Sequence, residues 1–157
     1  MENRTEAVFI LDCSGSMAGL ENDTVGNAIN HIKNIHTRAC EEDRPQKTLF
    51  VIATDGMENA SRKFRYKEIK QLIKQQKGLG WEFIFLGANL DAEEFADHIG
   101  IDASRAVNYH SDELGTKQIY VAMSKFVSCT RRGAKTDEAT DDAWRKELDE
   151  DFNRRKK

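Results

Sequence analysis

The chain has 157 residues, with 24 lysines and arginines against 27 aspartates and glutamates, a formal charge of −3 and 39% hydrophobic residues. A chain near this length is one domain that buries roughly 68–70% of its unfolded surface, so its core needs neither a disulfide framework nor a structural metal. The near-balanced charge gives no electrostatic ground for nucleic acid as the main partner. No apolar run approaches the roughly 18 residues of a membrane span, and Asp12 follows the N-terminus too closely for a signal-peptide core, so we expect a cytoplasmic protein.

Ala7 to Leu11 is a short, continuous run of apolar, branched and aromatic residues, which reads as a strand buried on both faces. The helix that follows is marked by Val25, Ala28, Ile29, Ile32, Ile35 and Ala39, three or four apart, and should stop before Pro45. A second strand runs from Thr48 to Thr54 and closes on Asp55-Gly56. Tyr66, Ile69, Leu72 and Ile73 mark a second helix, ended by Gly78 and Gly80. Trp81 to Leu86 gives a third strand, and Phe95, Ala96 and Ile99 a short helix ending at Gly100. Ala106 to Tyr109 is a weaker fourth strand, and Ile119, Met123, Phe126 and Val127 belong to a helix ending near Gly133. Strand and helix alternate, which predicts an α/β fold with an open parallel sheet of about four strands and flanking helices, Rossmann-like in class. We divide the chain into an α/β domain over 1–135 and a charged amphipathic helix over 136–157, whose stripe is Trp144, Leu148 and Phe152. Acids early and Arg154 to Lys157 late suit the helix dipole, and docking on its own domain is favoured over contact with a partner chain.

The stretch most informative about chemistry is Asp12-Cys13-Ser14-Gly15-Ser16, directly after the first strand. One carboxylate and two hydroxyls at alternate positions in a Gly-containing turn can converge on one point, and such hard oxygen donors suit Mg²⁺ or Mn²⁺ rather than Zn²⁺. Asp55 ends the second strand in the same way. If the two strands are neighbours, both carboxylates reach the edge where open α/β sheets bind ligands.

Asp12-x-Ser14-x-Ser16 after a hydrophobic strand, with Thr54-Asp55-Gly56 closing a later one, resembles the metal-ion-dependent adhesion site of von Willebrand factor type A domains. The order of elements from Val8 to about Thr130 is compatible with that fold, and the run from Lys47 to Asn89 is similar to its small bacterial members. The resemblance implies that Asp12, Ser14 and Ser16 bind Mg²⁺ (or Mn²⁺) directly or through water and that Asp55 holds a coordinated water. It further implies an open coordination position for an acidic residue of a partner protein. The sequence displays no general base, nucleophile pair or phosphate loop, so we expect no catalysis. The competing reading of the motif is a plain turn and helix cap.

The chain also departs from that family. Only Ala18 to Asp23 separates Met17 from Thr24, so the stretch holding two further strands and a metal-binding Thr loop is missing, and the nearest replacements are Thr24 and Asp23. Without those strands the sheet order becomes a simple march, and right-handed crossovers place the intervening helices on one face. The first strand becomes an apolar edge. These features predict a homodimer through the first-strand edge or the uncovered sheet face, unless the terminal helices cover that face instead.

Other constellations are weaker. Cys13, Cys40 and Cys129 lack zinc or CxxC spacing and read as reduced thiols. A Cys-x5-Arg phosphatase loop would require Arg where Gly19 stands. Asp12 is similar in position to the nucleophile of haloacid-dehalogenase-type phosphotransferases, although Ser14 takes the place of their second aspartate. A Mg²⁺-dependent phosphotransferase or phosphatase using Asp12 is therefore the alternative function, and a structural assembly unit with a vestigial metal site is the third. His31 and His36 lack the spacing of paired ligands on a helix, and His98 and His110 read as surface or cap residues. Gly87 to Asp91 reads either as lining of the same sheet edge or as a turn and helix start. The basic stretch Arg62 to Lys67 reads as a solvated helix entrance.

Overall fold

A computed structural model describes residues 4–12, 21–54, 66–88, 91–110, 112–131 and 143–155. Four strands, β1 (Thr5–Asp12), β2 (Lys47–Thr54), β3 (Trp81–Gly87) and β4 (Ala106–Asn108), form one sheet in the order β1-β2-β3-β4 with every neighbouring pair parallel. The α/β architecture with a four-stranded parallel sheet is the one the alternating periods predict. Three crossovers carry α1 (Glu21–Arg38), α2 (Tyr66–Gly78) and α3 (Ala92–His98), and two more helices follow, α4 (Glu113–Arg131) and α5 (Ala143–Arg154).

A strand sends alternate side chains to opposite faces, and the two halves of each strand's apolar set accordingly fall into two cores. On one face Phe50 and Ile52 of β2 and Trp81, Phe83 and Phe85 of β3 pack against Val25 and Ile29 of α1, Ile69 and Ile73 of α2, and Phe95 and Ala96 of α3. The aromatics pack against one another: Phe50 is tilted against Phe83 with ring centres 5.4 Å apart, and Phe85 stacks on Phe95 at 5.1 Å. A march of parallel strands joined by right-handed crossovers puts α1, α2 and α3 on this one side, as the topology requires. On the other face Leu49, Val51, Ala53, Ile84, Leu86 and Val107 meet Ile119, Met123 and Phe126 of α4 and Trp144 and Leu148 of α5. The terminal helices therefore cover the second face over β2, β3 and β4. Helix α5 docks on its own domain, with Trp144 set edge-on against Phe126 at 5.3 Å and Lys125 reaching Glu147 at 2.9 Å.

Two details differ from the periodicity reading. Ile35, placed by spacing on the apolar stripe of α1, is 46% exposed, because α1 runs past the N-terminal end of the sheet before it stops at Arg38. That helix, expected to stop before Pro45, ends earlier, and Glu41–Asp43 form a separate 3-10 turn after an extended Cys40. The glycine stops hold: Gly80 and Gly100 sit at φ +91° and +80°, the left-handed region where a side chain is strained. Strand β1, expected from its composition to be buried on both faces, is instead half-open, because it is the outer strand of the sheet. Val8 and Ile10 pack on the first core, while Phe9 on the opposite face is 46% exposed.

Candidate functional site

The carboxyl ends of the four strands fall on one line. Asp12 is the register partner of Thr54, Thr54 of Gly87, and Gly87 of Asn108. Adjacent strands lie about 4.8 Å apart, so the backbone of Asp12 sits one strand spacing from the residue that directly precedes Asp55 in the chain. Asp12 is described at its backbone; Ser14, Ser16 and Asp55 lie outside the described residues. Asp23 and Thr24 fall in the first turn of α1, the helix that follows the Ser motif. Among the described residues no group of three or more His, Cys, Asp or Glu side chains gathers as a metal site.

The rest of this edge is held together by backbone and amide groups. The Ala88 N–H donates to the Thr54 carbonyl at 2.9 Å and the Tyr109 N–H to the Gly87 carbonyl at 3.0 Å, which extends the ladder just past the strand ends. The Asn108 side chain accepts from the Ala92 N–H at 3.0 Å. Asp91 accepts from the N–H groups of Glu93 and Glu94 and caps the same helix, α3. Of the two readings of Gly87 to Asp91, a helix start is thus the one seen at Asp91. Asn108 was legible only as strand sequence; its last-in-strand position beside a helix start was the available signal.

The acid that follows β4 is committed elsewhere. Asp112 accepts from Arg155 at 2.5 Å and from the Gly115 N–H at 2.7 Å, and these bonds hold its carboxyl below the usual carboxylate range. Asp151, 5% exposed, takes both Arg155 and Arg154 at 2.7–2.8 Å, and its carboxyl is lowered chiefly by the Arg155 bond against the opposing effect of burial. The Arg155 guanidinium is raised by the same two carboxylates. Beside them His110 stacks on Phe152 at 4.8 Å and its Nε2 lies 3.3 Å from the Phe152 carbonyl. Of the surface and cap readings of His110, the contact with the end of α5 fits the cap, and the side chain is half-buried there. This cluster locks charge into structure at the β4 end of the sheet.

No family model, curated protein or solved structure matches the chain. The case for a function therefore rests on the donor chemistry of this edge and on the strand register. Carboxylate and hydroxyl oxygens in the Asp12 to Ser16 stretch and at Asp55, the residue that follows β2 in the chain, are hard donors of the kind that suits Mg²⁺ or Mn²⁺. Asp112, His110 and Asn108 are not part of that set, since each already has a partner in the fold.

Proposed function

We propose that this chain is a metal-dependent protein-binding module, in which Asp12, Ser14, Ser16 and Asp55 hold Mg²⁺ and an acidic group of a partner protein completes the coordination. The observation that supports it is the pairing of Asp12 with Thr54, which brings the chain to adjacent positions immediately before the two motifs. The ion would supply a fixed positive charge at the carboxyl edge of the sheet, and the chain's own residues would orient it. Titration calorimetry with Mg²⁺ and Mn²⁺ tests the reading: a saturable heat that Asp12→Ala and Asp55→Ala each abolish is expected, and no heat at millimolar metal overturns it. The phosphotransferase alternative predicts steady hydrolysis of a generic phosphate ester, lost in Asp12→Ala, where the binding reading predicts none.

Self-association through β1 is a second part of the proposal, favoured by the exposure of Phe9. The Arg4 carbonyl accepts from the Gln46 N–H at 3.0 Å, so Arg4 and every second residue after it turn their backbone groups toward β2. Thr5, Ala7 and Phe9 turn theirs toward the open edge of the sheet, and the Ala7 and Phe9 side chains are exposed. The partner that fits such an edge is a second copy of β1, antiparallel to the first, which would satisfy the outward groups and cover both phenylalanines.

A further inference from the structure

A different polar site lies at the opposite end of the sheet. A cavity of about 320 Å³ opens where β2 and β3 begin, walled by the last turns of α1, the C-terminal end of α2 and the loop before β2. Thr48 at its floor and Thr54 at the carboxyl edge are six residues apart on β2, about 20 Å at the rise of a strand. The two sites are therefore separate.

Three cationic or titratable side chains, Lys33, His36 and Arg44, line the cavity, and no acid does among the described residues. Glu6 pairs with His36 from outside the lining, Oε1 lying 3.2 Å from Nε2, and Lys33 and Arg44 are the permanent cations of the lining. The Arg44 guanidinium is fixed by donating from Nε to the Ala39 carbonyl at 3.2 Å and from Nη2 to the Thr37 carbonyl at 3.3 Å. Trp81, nearly buried, forms a flat apolar wall against which the His36 ring stands edge-on at 5.5 Å.

The deciding residue is Gln76. It occupies the core-facing position of α2 that continues Ile69 and Ile73, is 1% exposed, and lines the cavity. Its amide nitrogen is enclosed and meets no acceptor within the protein. Burying a donor without an acceptor forfeits its hydration, and native folds rarely do so without a reason. A leucine at this position would complete the helix stripe with no such loss. An enclosed donor behind a cationic rim selects a ligand that brings a negatively charged oxygen.

We infer that this cavity binds a small organic oxyanion, a carboxylate or phosphate on a flat apolar body, with the Gln76 amide donating to an oxygen, Lys33 and Arg44 balancing the charge, and Trp81 packing on the body. The volume is at the small end for ligand sites, which matches a compact molecule rather than a dinucleotide. The site is independent of the metal reading, since it shares no residue with it.

The test is two-dimensional NMR of the side-chain amide and indole N–H groups during titration of the intact chain with phenyl phosphate, benzoate and inorganic phosphate. Saturable shifts of the Gln76 amide and the Trp81 indole are expected with at least one ring-bearing anion below about 10 mM, with inorganic phosphate about tenfold weaker or undetectable. Response to phenyl phosphate alone assigns a phosphate headgroup, and response to benzoate alone a carboxylate. Gln76→Leu should weaken binding at least tenfold while leaving thermal stability unchanged or raised. Lys33→Ala, a change on the outer wall of the cavity, should weaken it by a similar factor. The inference is overturned if none of the three probes shifts these groups, or if binding survives both substitutions unchanged.

Discussion

Gly115 shows how one missing side chain can be dictated by geometry. A methyl group built there would overlap the His110 carbonyl oxygen, and the Gly115 N–H is already donated to Asp112 at 2.7 Å, so neither the loop nor the helix start can shift freely. Gly115→Ala is expected to destabilise the fold by about 1–3 kcal/mol, as overpacking at a constrained position does, and urea denaturation reads it. Asp91 is the complementary case of a side chain required for its oxygen. It accepts two N–H groups at the start of α3, and Asp91→Ala should cost about 1 kcal/mol by the same measurement, with Asp91→Asn nearly neutral. A stability unchanged by Asp91→Ala would mean that the Asn108 bond to Ala92 alone suffices to start the helix.

Among the described residues, the two carboxyls that are shifted both hold α5, so its attachment is expected to depend on pH. Asp112 and Asp151 have carboxyls lowered from their ordinary 3.8 by Arg155, so their contribution is fully present above that value and is lost as pH falls through the lowered folded-state range. In a Trp81→Phe background, Trp144 fluorescence should therefore report a docked α5 from neutral pH down to about pH 4 and its release below. Adding Arg155→Met should move that transition to higher pH, toward ordinary carboxylates; an unmoved midpoint would refute the role of the pair. Leu148→Ala, at 2% exposure between α4 and the sheet, should cost about 2–5 kcal/mol and release the same helix at neutral pH. Much of this element was legible: Trp144 and Leu148 recur at helical spacing and both are buried. Asp151 was not, because a carboxylate in a run of charges reads as solvated, and its burial follows from two arginines on the next turn that only the helical register brings onto it. Gln76 escaped for the same reason, since a polar residue on a helix is assigned to solvent unless the apolar stripe is extended through it.

For the molecule as a whole, the sheet order was readable because strand and helix alternate and parallel crossovers have one hand. The pairing of β1 with β2 follows from that march. The candidate metal site was readable only as residue types at a spacing: the register joins Asp12 to Thr54, while Ser14, Ser16 and Asp55 lie outside the described residues. Coverage of the second face depended on where α4 and α5 turn, which no local period encodes. What remains open on that face is the β1 end, and light scattering at micromolar concentration is expected to give the mass of two chains. Phe9→Lys should return the mass to one chain that remains folded, because Phe9 is half-exposed in the single chain. A single-chain mass for the unsubstituted protein, or two chains retained with Phe9→Lys, would remove β1 as the joining edge.

The division of labour between near and distant helices has a consequence for biosynthesis. The face carrying Leu49, Val51, Ile84 and Leu86 receives its cover from residues as far along as Leu148. At about 5–20 residues per second, the 62 positions between Leu86 and Leu148 take roughly 3–12 s to translate, during which a greasy half-built sheet is presented to the cell. Ribosome-bound chains stalled before Trp144 should accordingly recruit holding chaperones, and chains stalled after the last helix has cleared the exit tunnel should shed them.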